Sequence, residues 1–256
     1  MKQRAFAVHF SARSGSTYLI YRLRQHPDII ARAEVFGNKQ LPGEQEQTAD
    51  NQIAFLRKFW RPYRLDAPQP DGKARGFKVQ ISKDHQQILA FSRYLKLLGD
   101  YDVCRIFLYR KNLVKQVVSA LRAQQVKELT KAETGQERAH LFDDSLQEKA
   151  RTLPQLVIEP AAFKRQLRTL EASYKVLHDL QEKVGDSLTI HYEEMVADPQ
   201  GTFDKIFECI GVSPIDVTAD EPVKKITDND LRNVVANFDE LSEYLGPDYA
   251  AQLEEV

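Results

Sequence analysis

Hydrophobic residues along the chain fall into short unbroken runs, separated by stretches in which they recur at helical spacing. Ala5–Ser11 is an apolar run without helical period and predicts a buried strand. It breaks off into Ala12-Arg13-Ser14-Gly15-Ser16-Thr17. Leu19, Ile20 and Leu23 then follow a helical pattern up to His26-Pro27, where the proline disfavours helix in the residue before it. A polar loop is predicted over residues 40–51, a helix around Ile53–Trp60, and a loop over Arg61–Gly72 with Pro62, Pro68 and Pro70. Gly76–Ile81 alternates like a strand, and Gln86–Leu98 reads as an amphipathic helix stopped at Gly99. Val103–Tyr109 is a second apolar strand, apolar except for Arg105, with helix following from Asn112 to about Leu129. Between Thr130 and Pro160 the chain turns charged and loses periodicity, as a partly helical insertion with room to move. The longest helix carries Phe163, Leu167, Leu170, Tyr174 and Leu177, and Leu188–His191 is a third core strand. Asp198-Pro199 supplies a cap and a first-turn proline for a helix with Phe203, Ile206, Phe207 and Ile210 that ends at Gly211. Strands alternating with helices predict an α/β fold: a P-loop-like, mostly parallel central sheet flanked by helices, in one domain over residues 1–256.

Composition narrows the partners. With 256 residues and 42% hydrophobic content there is material for a sizeable core. The balance of 36 Lys+Arg against 37 Asp+Glu argues against a nucleic-acid backbone as partner, so any anion site must be local. Cys104 and Cys209, far apart and each in an apolar run (VCRIFLY and IFECIGV), read as two reduced core thiols and make no metal site. No window approaches about 18 consecutive apolar residues, and AFAVHF is too short for a signal-peptide core, so a cytoplasmic protein without a membrane span is expected. Self-association is left open.

Two strand-to-helix junctions carry the candidate chemistry. At the first, Arg13, Ser14, Gly15, Ser16 and Thr17 put backbone N–H groups, hydroxyls and a guanidinium at a helix start, where the dipole favours an anion. A plain turn capped by Ser14 or Ser16 is the alternative. A nucleoside-triphosphate P-loop would need G-x-x-x-x-G-K followed by Ser or Thr, and this loop lacks both the first glycine and the lysine. It therefore suits phosphate or sulfate with no metal required. At the second junction, Arg110 and Lys111 stand at the carboxyl end of a central strand, where open α/β sheets bind ligands, and Ser119 lies two helical turns further on.

Together the two segments resemble the sulfotransferases that use 3′-phosphoadenosine 5′-phosphosulfate (PAPS). The sequence Arg13-Ser14-Gly15-Ser16-Thr17 is similar to the R-S-G-S-T form of bacterial and Golgi carbohydrate sulfotransferases, and differs from the P-K-S-G-T or P-K-A-G-T form of cytosolic steroid and phenol enzymes. The resemblance is closest to bacterial nodulation-factor and trehalose sulfotransferases. It extends through Glu34-Val35-Phe36, Gly76-Phe77-Lys78, Gln116-Val117-Val118-Ser119 with Ala123-Gln124-Gln125, and Asn237-Phe238-Asp239-Glu240-Leu241, thinning out between about Thr130 and Pro160. It implies that the first loop binds the 5′-phosphosulfate and that an Arg and Ser119 bind the 3′-phosphate. The family's Arg precedes that Ser by eight positions, which is Lys111 here, with Arg110 nine before, so either cation fits.

The resemblance further implies PAPS as co-substrate, a hydroxyl-bearing acceptor and a catalytic glutamate at Glu34. His85 is the competing base, on the pattern of the steroid enzymes. Arg13 would stabilise charge on the leaving phosphate, and Lys224 and Lys225 resemble a basic segment that closes over the nucleotide. Lys78, a cation in an apolar strand, either lines the site or reaches past the sheet end. Trp60 and Tyr63 could stack on a sugar, and Arg138, His140 and Arg151 suit a glycan, glycolipid or small polyol better than a steroid. A nucleotide or sugar kinase and a non-catalytic binder of adenosine bisphosphates are the competing readings.

Overall fold

The computed structural model describes residues 4–37, 40–64, 73–83, 87–135, 148–150, 152–218 and 227–255. Its main sheet consists of β1 (Ala5–Phe10), β2 (Ile29–Glu34), β3 (Ala74–Gln80), β4 (Val103–Tyr109) and β5 (Leu188–His191). Its helices are α1 (Ser16–Gln25), α2 (Ala49–Phe59), α3 (Phe91–Asp100), α4 (Leu113–Thr134), α5 (Pro160–Val184), α6 (Tyr192–Ala197), α7 (Pro199–Ile210), α8 (Phe238–Leu245) and α9 (Pro247–Glu254). Every residue of β1 is buried, and a strand with no wet face needs a partner on each edge and cover on each side. The order β2-β3-β1-β4-β5 supplies the partners, with every pairing parallel. The α/β sheet expected from the sequence is thus present.

The described residues fall into two compact units. One comprises Met1–Lys111 with Ala172–Asp220, and the other Asn112–Glu171 with Glu221–Val256. In the first, Phe6, Val8 and Phe10 on one face of β1 pack with Leu19, Ile20 and Leu23 of α1 and with Phe203, Ile206, Phe207 and Ile210 of α7. On the other face His9 stacks on Phe107 at 4.7 Å and shares a 2.6 Å hydrogen bond with the Tyr94 hydroxyl. Burial pulls His9 down to about 4, so it is a neutral core imidazole. Trp60 is fully buried and stacked on Phe77, and Tyr63 is buried beside it. Swinging either out to stack on a sugar would forfeit about 1.5–3 kcal/mol of burial, so both are core residues.

In the second unit, Asn112 caps α4 by accepting from the Lys115 N–H at 2.7 Å. Val114, Val117, Val118, Phe163, Leu167, Leu231, Phe238 and Leu241 form its core. Asn237 clips the backbone of Ile158 from both sides, accepting its N–H at 2.9 Å and donating to its carbonyl at 2.8 Å.

Several boundaries differ from the sequence expectation. Ile29–Glu34 is an edge strand whose outer residues are wet, so it shows no alternation. Within the polar stretch 40–51 lie a short hairpin, Gln40–Leu41 with Gln45–Glu46, and the start of α2. The amphipathic helix is α3, five residues later than expected at its start and running through Gly99. α4 continues to Thr134, where Gly135 takes the left-handed conformation that ends it. Asp198, Pro199 and Gly211 do what their spacing predicts, as cap, first-turn residue and stop. Much of the charged insertion, with Arg138, His140 and Arg151, lies outside the described residues.

The cysteines are a correction. Cys104 on β4 and Cys209 on α7 form a disulfide with Cα atoms 5.7 Å apart, so they are not the two reduced thiols expected from the sequence. Both apolar runs are core, as expected, but they pack in the same cluster. That packing brings the sulfurs into the range where a bridge forms. Among the described residues no helix is long and apolar enough to cross a membrane.

Candidate active site

In an open parallel sheet the crevice lies where the chain turns from building one side to building the other, outside the strand carboxyl ends. Here that point falls between β1 and β4. The chain leaves β1 through Ser11 and reverses hand twice in three residues, with φ +64 at Arg13 and +91 at Gly15. Backbone of alternating hand gathers N–H groups into an anion-binding concavity. Gly15 occupies the cap position of α1, with no side-chain cap and no acidic residue in the first turn. The turn is therefore not the serine-capped one considered from the sequence, and the helix start keeps its demand for negative charge. The Ser14 hydroxyl is fully buried and has no hydrogen-bond partner among the described residues.

Gly15 is required twice over. Its left-handed φ strains any other residue, and a Cβ there would sit 2.5 Å from Cδ2 of Tyr192 and 3.2 Å from Cε of Met195. Gly15→Ala is expected to cost about 1–3 kcal/mol from the backbone alone, with ring displacement added. Urea denaturation measures it; an unchanged midpoint would mean that loop and ring relax together at no cost.

Two guanidiniums meet at this crevice. Arg110, buried, donates from Nη1 to the Arg13 carbonyl at 3.3 Å and lies 4.6 Å over the Tyr192 ring. Its own N–H donates to the Tyr174 hydroxyl at 2.9 Å. Burial, and after it the like charge of Arg110, pull the Arg13 guanidinium below its ordinary range. Such a pair gains from an anion more than a solvated pair would. Lys111 is placed differently. Its N–H donates to the Glu193 carboxylate at 3.0 and 3.1 Å, its Nζ reaches Glu194 at 2.9 Å, and its side chain is 56% exposed. The sequence left these neighbours interchangeable; in the fold Arg110 belongs with the loop and Lys111 with the acidic start of α6. Ser119 is half-buried on α4, in the other unit.

Glu34 is the last residue of β2. The register between β2 and β3 shifts between Arg32 and Glu34, so that Glu34, and not Ala33, pairs with Lys78. A bulge of this kind re-aims a side chain. Lys78, 6% exposed, reaches three oxygens: Glu34 Oε1 at 3.2 Å, Ser16 Oγ at 3.2 Å and Thr17 Oγ1 at 3.1 Å. Burial lowers its pKa, opposed by the Glu34 charge. Both hydroxyls accept from the ammonium. Glu34 Oε2 accepts from Gln87 Nε2 at 3.0 Å.

His85, Lys224 and Lys225 lie outside the described residues. Of the other histidines, His26 is held by the Ser213 carbonyl and the Asp28 N–H, His178 stacks on Tyr109, and His191 faces Glu194 at 3.3 Å. Sequence reasoning missed Tyr192 and Gln87. Tyr192 had one available signal, its place directly after a core strand; Gln87 had none.

A model of the Stf0 sulphotransferase family matches residues 90–240. Solved structures resemble the chain along nearly its whole length at low identity. Mouse sulfotransferase SULT7A1 complexed with PAP is 16% identical, with 99% of this chain and 87% of that one covered and a TM-score of 0.47. A sulfotransferase from Alicyclobacillus acidocaldarius is 19% identical, covering 99% and 95%, with a TM-score of 0.44. STF9 from Mycobacterium avium is 12% identical, covering 96% and 76%, with a TM-score of 0.44. No curated protein matches the chain in sequence.

Proposed function

We propose a reaction for a chain that belongs to the Stf0 sulphotransferase family: transfer of a sulfonate group from PAPS to a hydroxyl of a carbohydrate, glycolipid or small polyol. The observation that carries this reading is the Lys78 ammonium, which joins the Glu34 carboxylate to the Ser16 and Thr17 hydroxyls within 3.2 Å. A carboxylate and an anion-binding loop are thereby held side by side.

In this reading the N–H groups of the loop, with Arg13, Ser14, Ser16 and Thr17, hold the 5′-phosphosulfate. The acceptor oxygen attacks sulfur in line as the bond from sulfur to the bridging phosphate oxygen breaks. The negative charge that develops on that oxygen is met by Arg13 and the helix start, so that 3′-phosphoadenosine 5′-phosphate (PAP) leaves. The acceptor proton passes to Glu34. We assign the base to Glu34 over His85 because Glu34 is tied to the loop through Lys78. We assign the 3′-phosphate to Arg110 over Lys111, because Lys111 already has two carboxylates; Ser119 is assigned to it by the sequence resemblance alone. Lys224 and Lys225 are assigned to the nucleotide by the sequence resemblance alone. The cytoplasmic setting expected from the sequence goes with this proposal, and the thiol state of Cys104 and Cys209 in cells bears on it directly.

Thermal stabilisation by PAP, set beside magnesium ATP, tests the donor site. A ligand that binds only the folded chain adds about 2.7 kcal/mol at one hundred times its Kd, which shows as a raised Tm. The expected result is a shift with PAP without metal, lost in Arg13→Ala. A shift with magnesium ATP alone would replace this reading with a kinase.

A further inference from the structure

The Glu34 carboxylate is held on both oxygens, and its second holder comes from the segment after β3. Oε1 faces Lys78, while Oε2 accepts from Gln87 Nε2 at 3.0 Å. The backbone fixes which end of the Gln87 amide faces the acid. Gln87 Oε1 accepts the N–H of Gln80, the last residue of β3, at 3.1 Å, so the NH2 end is turned to Glu34. Gln87 is in turn anchored, its carbonyl accepting from Gln52 Nε2 at 2.8 Å. Gln52 Oε1 accepts the Leu89 N–H at 2.9 Å, and Gln52 Nε2 also reaches Gln47 Oε1 at 3.0 Å. Gln47 Nε2 donates to the Val35 carbonyl at 2.9 Å.

Three glutamines thus close a ring that leaves from the Glu34 side chain and returns to the backbone one residue later. Gln87 and Gln52 are 5% and 2% exposed, so water has little access to the bond between them. Gly37 leaves the room: a Cβ there would lie 2.8 Å from Gln87 Nε2 and 3.2 Å from Glu34 Oε2.

We propose that Gln87 is a positioning residue for the transfer, fixing the Glu34 carboxylate beside Lys78, with Gln52 and Gln47 fixing Gln87. The inference rests on the reading of Glu34 as the base. A carboxamide suits this place because its NH2 donates without taking a proton, so it steadies the acid without competing for the acceptor's proton. Tying both oxygens removes rotation that would otherwise have to be frozen on the way to the transition state.

The test compares wild type, Gln87→Met, Glu34→Gln and the double variant. Sulfonate transfer from radiolabelled PAPS to a panel of mono- and disaccharides that includes trehalose is measured, with PAP binding by calorimetry. Gln87→Met should lower kcat about tenfold through misplacement of the base, with PAP affinity unchanged. In the Glu34→Gln background the same substitution should do almost nothing, because its route to the reaction is already gone. Gly37→Ala, which leaves the amide's chemistry intact and pushes it aside, should lower kcat in the same direction and covers the case that Gln87→Met folds poorly.

Equal losses in both backgrounds would make Gln87 merely structural and overturn the inference. Unchanged transfer in Glu34→Gln would instead remove the base assignment itself. Crystals of Gln87→Met decide the matter should no sugar accept sulfonate: the Glu34 carboxylate is expected out of hydrogen-bond reach of Lys78. Finding it in place would overturn the inference.

Discussion

Glu34→Gln is expected to lower sulfonate transfer about a hundredfold or more, the usual worth of a positioned general base, while PAP still binds. Glutamine keeps the length and the oxygen that can face Lys78 and gives up the ability to take the acceptor's proton. Binding should survive because the groups proposed to hold the nucleotide are Arg13, Arg110 and the loop hydroxyls, none of which depends on Glu34 for its backbone position. The substitution does remove the negative charge that opposes burial at Lys78, whose cation is already disfavoured. Transfer and binding must therefore be read together. Loss of transfer with PAP binding intact marks the base. Loss of both would mean that Glu34 works through Lys78 and the loop, with the proton going elsewhere. Full transfer would return the role to another group, His85 first, and binding with no transfer even in wild type would favour a non-catalytic nucleotide binder.

The second large effect concerns the bridge between β4 and α7. Removing it, by reduction or by Cys209→Ser, is expected to cost about 4–5 kcal/mol on the chain-entropy account for a loop of this length. The two cysteines stand 105 positions apart, and a long cross-linked loop takes the most freedom from the unfolded chain. Set against the total of about 5–15 kcal/mol typical of folded domains, this is a large share. Urea denaturation with and without reductant, beside alkylation of free thiols, measures it. An identical midpoint, with neither cysteine alkylated before reduction and both alkylated after it, would mean that the unfolded chain is already compact enough for the bridge to add nothing.

What the sequence made legible was whatever carries a period or a motif. Val103–Tyr109 and Leu188–His191 were found as strands because buried parallel strands are unbroken apolar runs. Asp198, Pro199 and Gly211 marked a helix because capping is local chemistry. Arg13 to Thr17 stood out because a small-residue loop between strand and helix has few other uses. The features that were missed are set by tertiary contact. Ile29–Glu34 is an edge strand with Arg32 and Ala33 exposed, so it has neither a continuous run nor a clean alternation. Its bulge, which decides where Glu34 points, is a property of the pairing with β3. Gln47, Gln52 and Gln87 look like ordinary polar residues of helix and loop, and only the fold shows that two of them are buried. The cysteine pair has no diagnostic spacing, because nothing in a run of apolar residues says which other run it will face. Arg110 and Lys111 differ by one position in sequence and, through the alternation of side chains past a strand end, in almost everything else.

The strand order has a consequence for how the proposed anion site comes into being. Arg13 and Arg110 are 97 residues apart along the chain, and they become neighbours only when β4 docks on the far edge of β1, after the chain has gone out through β2 and come back through β3. Closing a loop of that span is entropically costly and depends on non-local contacts, which form late compared with the turns of a helix. The crevice is therefore absent from any half-built sheet, however well formed its loop and first helix are. An anion bound between the two guanidiniums, as proposed, would also clasp the longest-range joint of the central strands, so that occupancy of the site and completion of the sheet would reinforce each other.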